Sequence, residues 1–243
     1  MQKSILSSIL LLGAVCAQAN NYTVTSPNGK LVMNVKCEGG KASYTVDLNG
    51  KQMLAASALG LVANHGDFSQ GLTMGALKGA PKHLTYVMEH TKKSHVEKDV
   101  YEATIGFLNA KKDSMTLHLH VSDNDVAYKY EMSRPKKDNP KSVIIYKEVS
   151  GFNFPEKTTT FLCPQITPMT GWERTKPSYE EEYTPNAQMN VKSQFGVGYT
   201  FPCLFKVGED GWVLVSETGV SSAYPGSRLS DYEPGKGYTV AFP

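Results

Sequence analysis

The stretch ASYTVDLNGKQML, residues 42–54, decides the fold. Tyr44, Val46 and Leu48 alternate with Ser43, Thr45 and Asp47. A period of two belongs to a strand, because successive side chains leave it on opposite faces. Asn49-Gly50 follows, and this pair tolerates the positive φ that a two-residue turn demands if its twist is to match the flanking strands. Met53 and Leu54 open the returning strand, so the stretch predicts a tight antiparallel hairpin.

The same alternation recurs on both sides of it. It runs through KLVMNVKC (30–37), VYEATIGFL (100–108), SMTLHLHVS (114–122), VAYKYEMS (126–133), SVIIYKEV (142–149), GWVLVSET (211–218) and YTVAFP (238–243). Turn-forming clusters such as SPNGK (26–30), EGGK (38–41), DND (123–125) and PKKDNPK (135–141) punctuate these runs. Helical periodicity is nearly absent. The expected fold is therefore all-β, one large antiparallel β super-sandwich with few short helices. Two stretches without alternation, 60–82 and 164–192, are expected to be long loops of the kind that carry binding or docking roles.

At the N-terminus, Lys3, the apolar run ILSSILLLGAV (5–15) and AQA (17–19) make a signal peptide with cleavage expected after Ala19. The run is too short to span a bilayer. Val15 stands before Cys16 where lipid attachment wants a small residue, so no membrane anchor is expected. The domain then occupies residues 20–243, exported to the periplasm or secreted. GKGYTVAFP (235–243) runs in strand alternation to the last residue, which reads as a longer polypeptide cut short. Against 23 Asp and Glu there are 25 Lys and Arg, a balance that gives no electrostatic case for nucleic acid or an anionic membrane surface. Cys37, Cys163 and Cys203 remain in the exported chain, an odd number. Cys163 and Cys203 lie in the apolar runs TTTFLCP (158–164) and YTFPCLF (199–205), where they serve as buried small hydrophobes.

No serine-hydrolase elbow, phosphate loop, metalloprotease helix or dinucleotide fingerprint is present. GVGYTFP (196–202) reads as a turn. His118 and His120 share one strand face without a third ligand in sight, as on a solvated sheet surface. The most acidic segment is SYEEEYTP (178–185). On a strand, Glu180 and Glu182 would share a face, with Glu181 opposite. Two carboxylates on one face prefer water, a cation or a basic neighbour. A solvated edge strand guarded by charge accounts for the run as well. Trp172, Tyr179, Tyr183 and Tyr224 lie near the expected loops and suit stacking on sugar rings, though core packing would use each of them equally.

VSDNDVAYKYEM (121–132), an acidic turn leading into VAYRY-like sequence, is more specific. With SPNGKLVMNV (26–35), GWERTKPSYEEEYTP (171–185) and LVSETGVSSAYPGSRLS (214–230), in that family's order, it resembles the N-terminal domain of glycoside hydrolase family 97. These are calcium-dependent α-glucosidases and α-galactosidases, and the resemblance runs from about residue 22 to the end. It implies a galactose-mutarotase-like super-sandwich that packs on a catalytic (β/α)8 barrel of the same polypeptide. It also implies one sandwich glutamate lent to a calcium ion beside an α-linked oligosaccharide. Glu180 is the first choice for that ligand and Glu182 the second, with Trp172 and Tyr179 on the substrate side. Calcium takes six to eight oxygens, so such a strand supplies part of a shell. The family's acid and base carboxylates belong to the barrel. No catalytic residue is therefore expected in this chain, and alone it is expected to be inactive. The other reading is a stand-alone secreted carbohydrate-binding module that stacks sugars on Trp172.

Overall fold

The computed structural model describes residues 21–133, 142–166, 181–222, 224 and 226–242. Within them every regular element is a strand. The chain opens with the meander β1 (Asn21–Thr25), β2 (Leu31–Glu38), β3 (Lys41–Leu48) and β4 (Lys51–Leu59). The expected hairpin joins β3 to β4: Leu48 pairs with Lys51, and Asn49 and Gly50 take φ of 53° and 73°. Two short strands follow, β5 (Leu61–Ala63) and β6 (Gly66–Asp67). Next come β7 (Thr73–Val87), β8 (His95–Leu108), β9 (Ser114–Ser122) and β10 (Val126–Met132), a sheet in the order β10-β9-β8-β7. β11 (Ile145–Glu148) returns to pair with β5. The last sheet holds β12 (Gly151–Phe152), β13 (Thr158–Pro164), β14 (Ala187–Gln188), β15 (Tyr199–Val207), β16 (Gly211–Val215), β17 (Arg228–Leu229) and β18 (Tyr238–Ala241). Its order is β12-β18-β17-β15-β13-β14, with β16 beside β15.

The alternation read in the sequence becomes the core. Met33, Val35 and Cys37 from β2, Leu117, Leu119 and Val121 from β9, and Cys203, Phe205 and Val207 from β15 all turn inward to one cluster. Each such large side chain removed from water contributes about 1.5–3 kcal/mol before the entropy of ordering it is counted. Phe154 stacks on Phe205 at 4.0 Å between ring centres. Cys37, Cys163 and Cys203 are buried thiols without a disulfide. His118 and His120 lie on the polar face of β9, where Nε2 of His118 meets Glu131 at 2.7 Å and Nδ1 of His120 meets Glu102 at 3.8 Å. Among the described residues no helix is long and apolar enough to cross a membrane.

The run GVGYTFP (196–202), read as a turn, turns only as far as Gly198, since Tyr199 already begins β15. Residues 60–82 do not form a loop: β5, β6 and the first ten residues of β7, Thr73 to Lys82, occupy most of that stretch. β7 is an edge strand exposed along both faces for much of its length, so no apolar alternation marks it. Gly75, Gly79 and Pro81 disguise it further. An edge strand tolerates proline because its outer N–H has no ladder partner to lose. Gly79 is covered by the ring of Tyr101 from β8, which a Cβ at that position would approach to 2.7 Å.

Two features of the strand pairing shape the surface. β9 pairs with β8 only from Val100 onward, so His83–Val87 and His95–Asp99 continue as a two-stranded ribbon past the end of the sheet. β15 is a fork. One side pairs with β13, while the other pairs with β17 at Tyr199 and Thr200 and with β16 from Cys203 to Val207. Pro202, which has no N–H to donate, sits where the second side changes partner.

Candidate functional site

The fork carries an outward face of unusual composition. Thr158, Thr160 and Leu162 of β13 and Phe205 and Val207 of β15 point inward, so Phe161, Leu204, Lys206, Trp212 and Leu214 point out. The register sets Phe161 opposite Leu204 and Leu204 opposite Leu214, an apolar row across three strands. The next row runs Thr159, Lys206, Trp212. Phe161 is 38 % exposed, Trp212 59 % and Leu214 62 %. Lys206 holds its ammonium 5.9 Å from the centre of the Trp212 ring and 3.2 Å from Glu209. An outer sheet face normally alternates to polar residues. Three large apolar side chains left exposed on the two strands that flank β15 mark a surface built to be covered.

The acidic segment ends on this face. Tyr183 stacks on Phe161 with ring centres 4.6 Å apart and planes 18° from parallel. Just before it, Glu181 is buried at 8 % exposure while Glu182 is exposed. Burial thus separates the two, with Glu181 in the interior and Glu182 at the surface. Residues 181–184 belong to no strand, however. The face-on stack sets the Tyr183 ring against Phe161, on the outward side of β13. The chain then turns through Asn186, at φ of 54°, and β14 pairs with β13 at Thr159 and Thr160. The described part of the segment therefore flanks the edge of the sheet, next to the apolar row. Glu180, Tyr179 and Trp172 lie outside the described residues.

A second group surrounds Tyr224, which is half-exposed. Burial, and then the charges of Glu148 and Glu217, hold its hydroxyl above the ordinary tyrosine range. Burial also raises the Glu148 carboxyl, and Glu217 adds to the rise. Glu217 is fixed by Ser227, whose N–H and hydroxyl donate to its two oxygens at 2.7 Å each. Beneath lie Tyr44, Tyr128 and Tyr130, all with hydroxyls raised chiefly by burial. Tyr130 Oη bonds Ser150 Oγ at 2.7 Å and accepts from the Gly60 N–H at 2.9 Å, and Tyr44 Oη donates to the Gly151 carbonyl at 3.0 Å. This network ties the meander to the other sheets.

Among the described residues no group of three or more His, Cys, Asp or Glu is placed to hold a metal. Glu182 offers exposed carboxylate oxygens, the hard donor that calcium prefers, and so fits the role of one contributor to a shell completed from elsewhere. The sequence reading missed Phe161, Trp212 and Leu214. The signal was present in GWVLV: four consecutive apolar residues give a strand with no polar side, which a sheet with one wet face does not need.

Residues 24–243 match the sequence profile of the family described as glycosyl-hydrolase 97 N-terminal. A search of curated proteins returned no match. Among solved structures, a β-arabinopyranosidase superposes with a TM-score of 0.86 at 47 % identity, over 91 % of this chain and 35 % of its own. A glycoside hydrolase family 97 enzyme from Pseudoalteromonas sp. strain K8 in complex with panose gives a TM-score of 0.75 at 20 % identity, over 91 % and 32 %. The same enzyme in complex with acarbose gives the same values. The chain therefore spans about a third of the length of the structures it matches.

Proposed function

This chain belongs to the glycosyl-hydrolase 97 N-terminal family, and on that premise we propose that it is the non-catalytic sandwich of an exported glycosidase. Its β13–β15–β16 face packs on a catalytic barrel and presents the acidic segment to the sugar site. The observation that carries this reading is the outward apolar row of exposed Phe161, half-buried Leu204 and exposed Leu214, with Trp212 beside it and Tyr183 stacked at its end. A surface that must be covered and a carboxylate-rich segment thus meet at one sheet edge. Glu180 is the calcium ligand and Glu182 the second candidate, while Glu181, turned inward, holds the segment to the sandwich. Calcium, when bound, neutralises charge beside the scissile bond. The chain supplies one carboxylate and shapes the pocket wall with Trp172 and Tyr179. Export after cleavage at Ala19 belongs to the same proposal.

The substrate is an oligosaccharide or glycoside with a pyranose ring. The 47 % identical neighbour is a β-arabinopyranosidase. Arabinopyranose is galactopyranose without its exocyclic hydroxymethyl group, so β-arabinopyranosides join α-galactosides and α-glucosides as the compounds to try. The test joins this sandwich to a family barrel and measures calcium by titration calorimetry. Glu180→Gln is expected to weaken calcium binding by about tenfold or more, since it removes a charged ligand and keeps the shape. Glu181→Gln is expected to change it little. Equal calcium affinity in both variants would return the glutamates to a solvated edge. Exposed Trp212 supports one alternative, a free-standing carbohydrate-binding module. Loss of glycan binding by the isolated chain on Trp212→Ala would favour it.

A further inference from the structure

An open-mouthed cleft of about 480 Å³ lies between the end of β1 and the base of the β7–β8 ribbon. It exists because β9 leaves β8 at Val100, so that the ribbon stands away from the sandwich. The opposite wall is Thr25 and Pro27. Their turn is held in place by the Asn28 N–H, which donates to Asp123 at 2.9 Å. Val100 makes the floor, and Pro81, His83, Asp99 and Tyr101 make the ribbon wall. Paired strands and two prolines fix both walls, so a ligand would find the cleft formed already. Its volume falls within the roughly 300–1,000 Å³ of small-molecule sites.

The chemistry of the walls selects the ligand. Nδ1 of His83 lies 2.8 Å from Asp99 on the cleft side of the ribbon, whereas the register turns Lys82 to the opposite face, where its ammonium lies 3.1 Å from Glu102. An entering anion meets Asp99, and a cation meets His83. A neutral molecule dense in hydroxyls uses both, donating to the carboxylate and bonding the imidazole. Pro27, Pro81 and the Tyr101 ring offer apolar surface for the C–H face of such a molecule. An extended peptide is disfavoured, because Pro81 breaks the run of N–H donors along the edge strand. We infer that this cleft binds one pyranose ring of a neutral oligosaccharide, at a site on a different sheet from the proposed docking face. The choice of an oligosaccharide rests on the glycosidase reading above.

Saturation-transfer NMR and calorimetry on this chain test the inference, with maltotriose and methyl β-arabinopyranoside as probes. The expected result is weak binding of at least one sugar, in the millimolar range, with saturation reaching it from a tyrosine ring. Asp99→Ala, at an exposed position, should lower the affinity by roughly tenfold or more with an unchanged circular dichroism spectrum. Glu97→Ala, on the same ribbon but outside the cleft, should leave it unchanged. The inference is overturned if neither sugar binds, if Asp99→Ala binds as tightly as the parent, or if binding is lost with Trp212→Ala instead. Displacement of the sugar by inorganic phosphate would also overturn it, by revealing an anion site. Of these outcomes only loss with Trp212→Ala bears on the docking-face reading, by favouring the binding-module alternative; the others leave it to calcium affinity in the barrel-joined protein.

Discussion

Glu148 shows how a single carboxyl can be held against its own preference. Burial raises its pKa, and the charge of Glu217 adds to the rise, so the folded state binds the proton more tightly than the unfolded chain does. For an acid shifted upward, stability falls as pH climbs from the unfolded value through the folded one, and the loss persists above it. At neutral pH Glu148 therefore costs stability. Glu148→Gln keeps the shape and the acceptor toward Ser150 while removing the charge. The expected outcome is a melting temperature about 2–4 °C higher at pH 7, with the gain vanishing below about pH 4, where both proteins are neutral at this position. A variant less stable than the parent at pH 7 would mean that the carboxylate makes a compensating contact.

Among elements, the turn before β15 sets a sharper test. Gly196 and Gly198 both take positive φ, at 70° and 95°, but their surroundings differ. A Cβ at Gly196 would meet open space, whereas one at Gly198 would lie 1.9 Å from the Leu229 carbonyl on β17. Gly196→Ala should cost about 1 kcal/mol for the left-handed backbone alone. Gly198→Ala should cost about 3 kcal/mol or more, because β15 and β17 can no longer close together. Urea unfolding of the two variants checks the ranking, and similar losses would contradict the close approach. The strands themselves were legible wherever one face is dry. SMTLHLHVS and TTTFLCP coincide with β9 and β13 residue for residue, because burial on one side writes a period of two into the sequence. β7 was illegible for the opposite reason: a strand wet on both faces has no pattern to display. The acidic segment was legible in the opposition of Glu181 to Glu182. Its path was not, since the Phe161–Tyr183 stack joins residues 22 positions apart and leaves no local trace.

Across the whole molecule, hydroxyls and thiols buried at the junctions between sheets give the protein an alkaline limit. Burial pushes Tyr199 and Cys203 each up to about 12, and raises Tyr44, Tyr128, Tyr130 and Tyr238 as well. Unfolded, these groups lose protons near pH 9–10. Between those values and the folded ones the unfolded state binds fewer protons, so stability falls with rising pH. Each group contributes about 1.4 kcal/mol per pH unit across its own window. The urea midpoint should fall steeply from pH 9 to 11, and tyrosinate absorbance should rise together with unfolding. A midpoint that stays level over that interval would remove these groups from the account.

The fork at β15 has a mechanical side. β18 is held by two residue pairs to β17 and two to β12, and β17 in turn by two pairs to β15. The β13–β15–β16 face is held by longer ladders on the far side of Pro202. A load entering through β18 peels those short ladders one after another before it strains the long ones. By ladder length alone the corner at β17 and β18 should yield ahead of the β13–β15–β16 face, with the buried Leu229 and Tyr238 side chains setting the load at which it does.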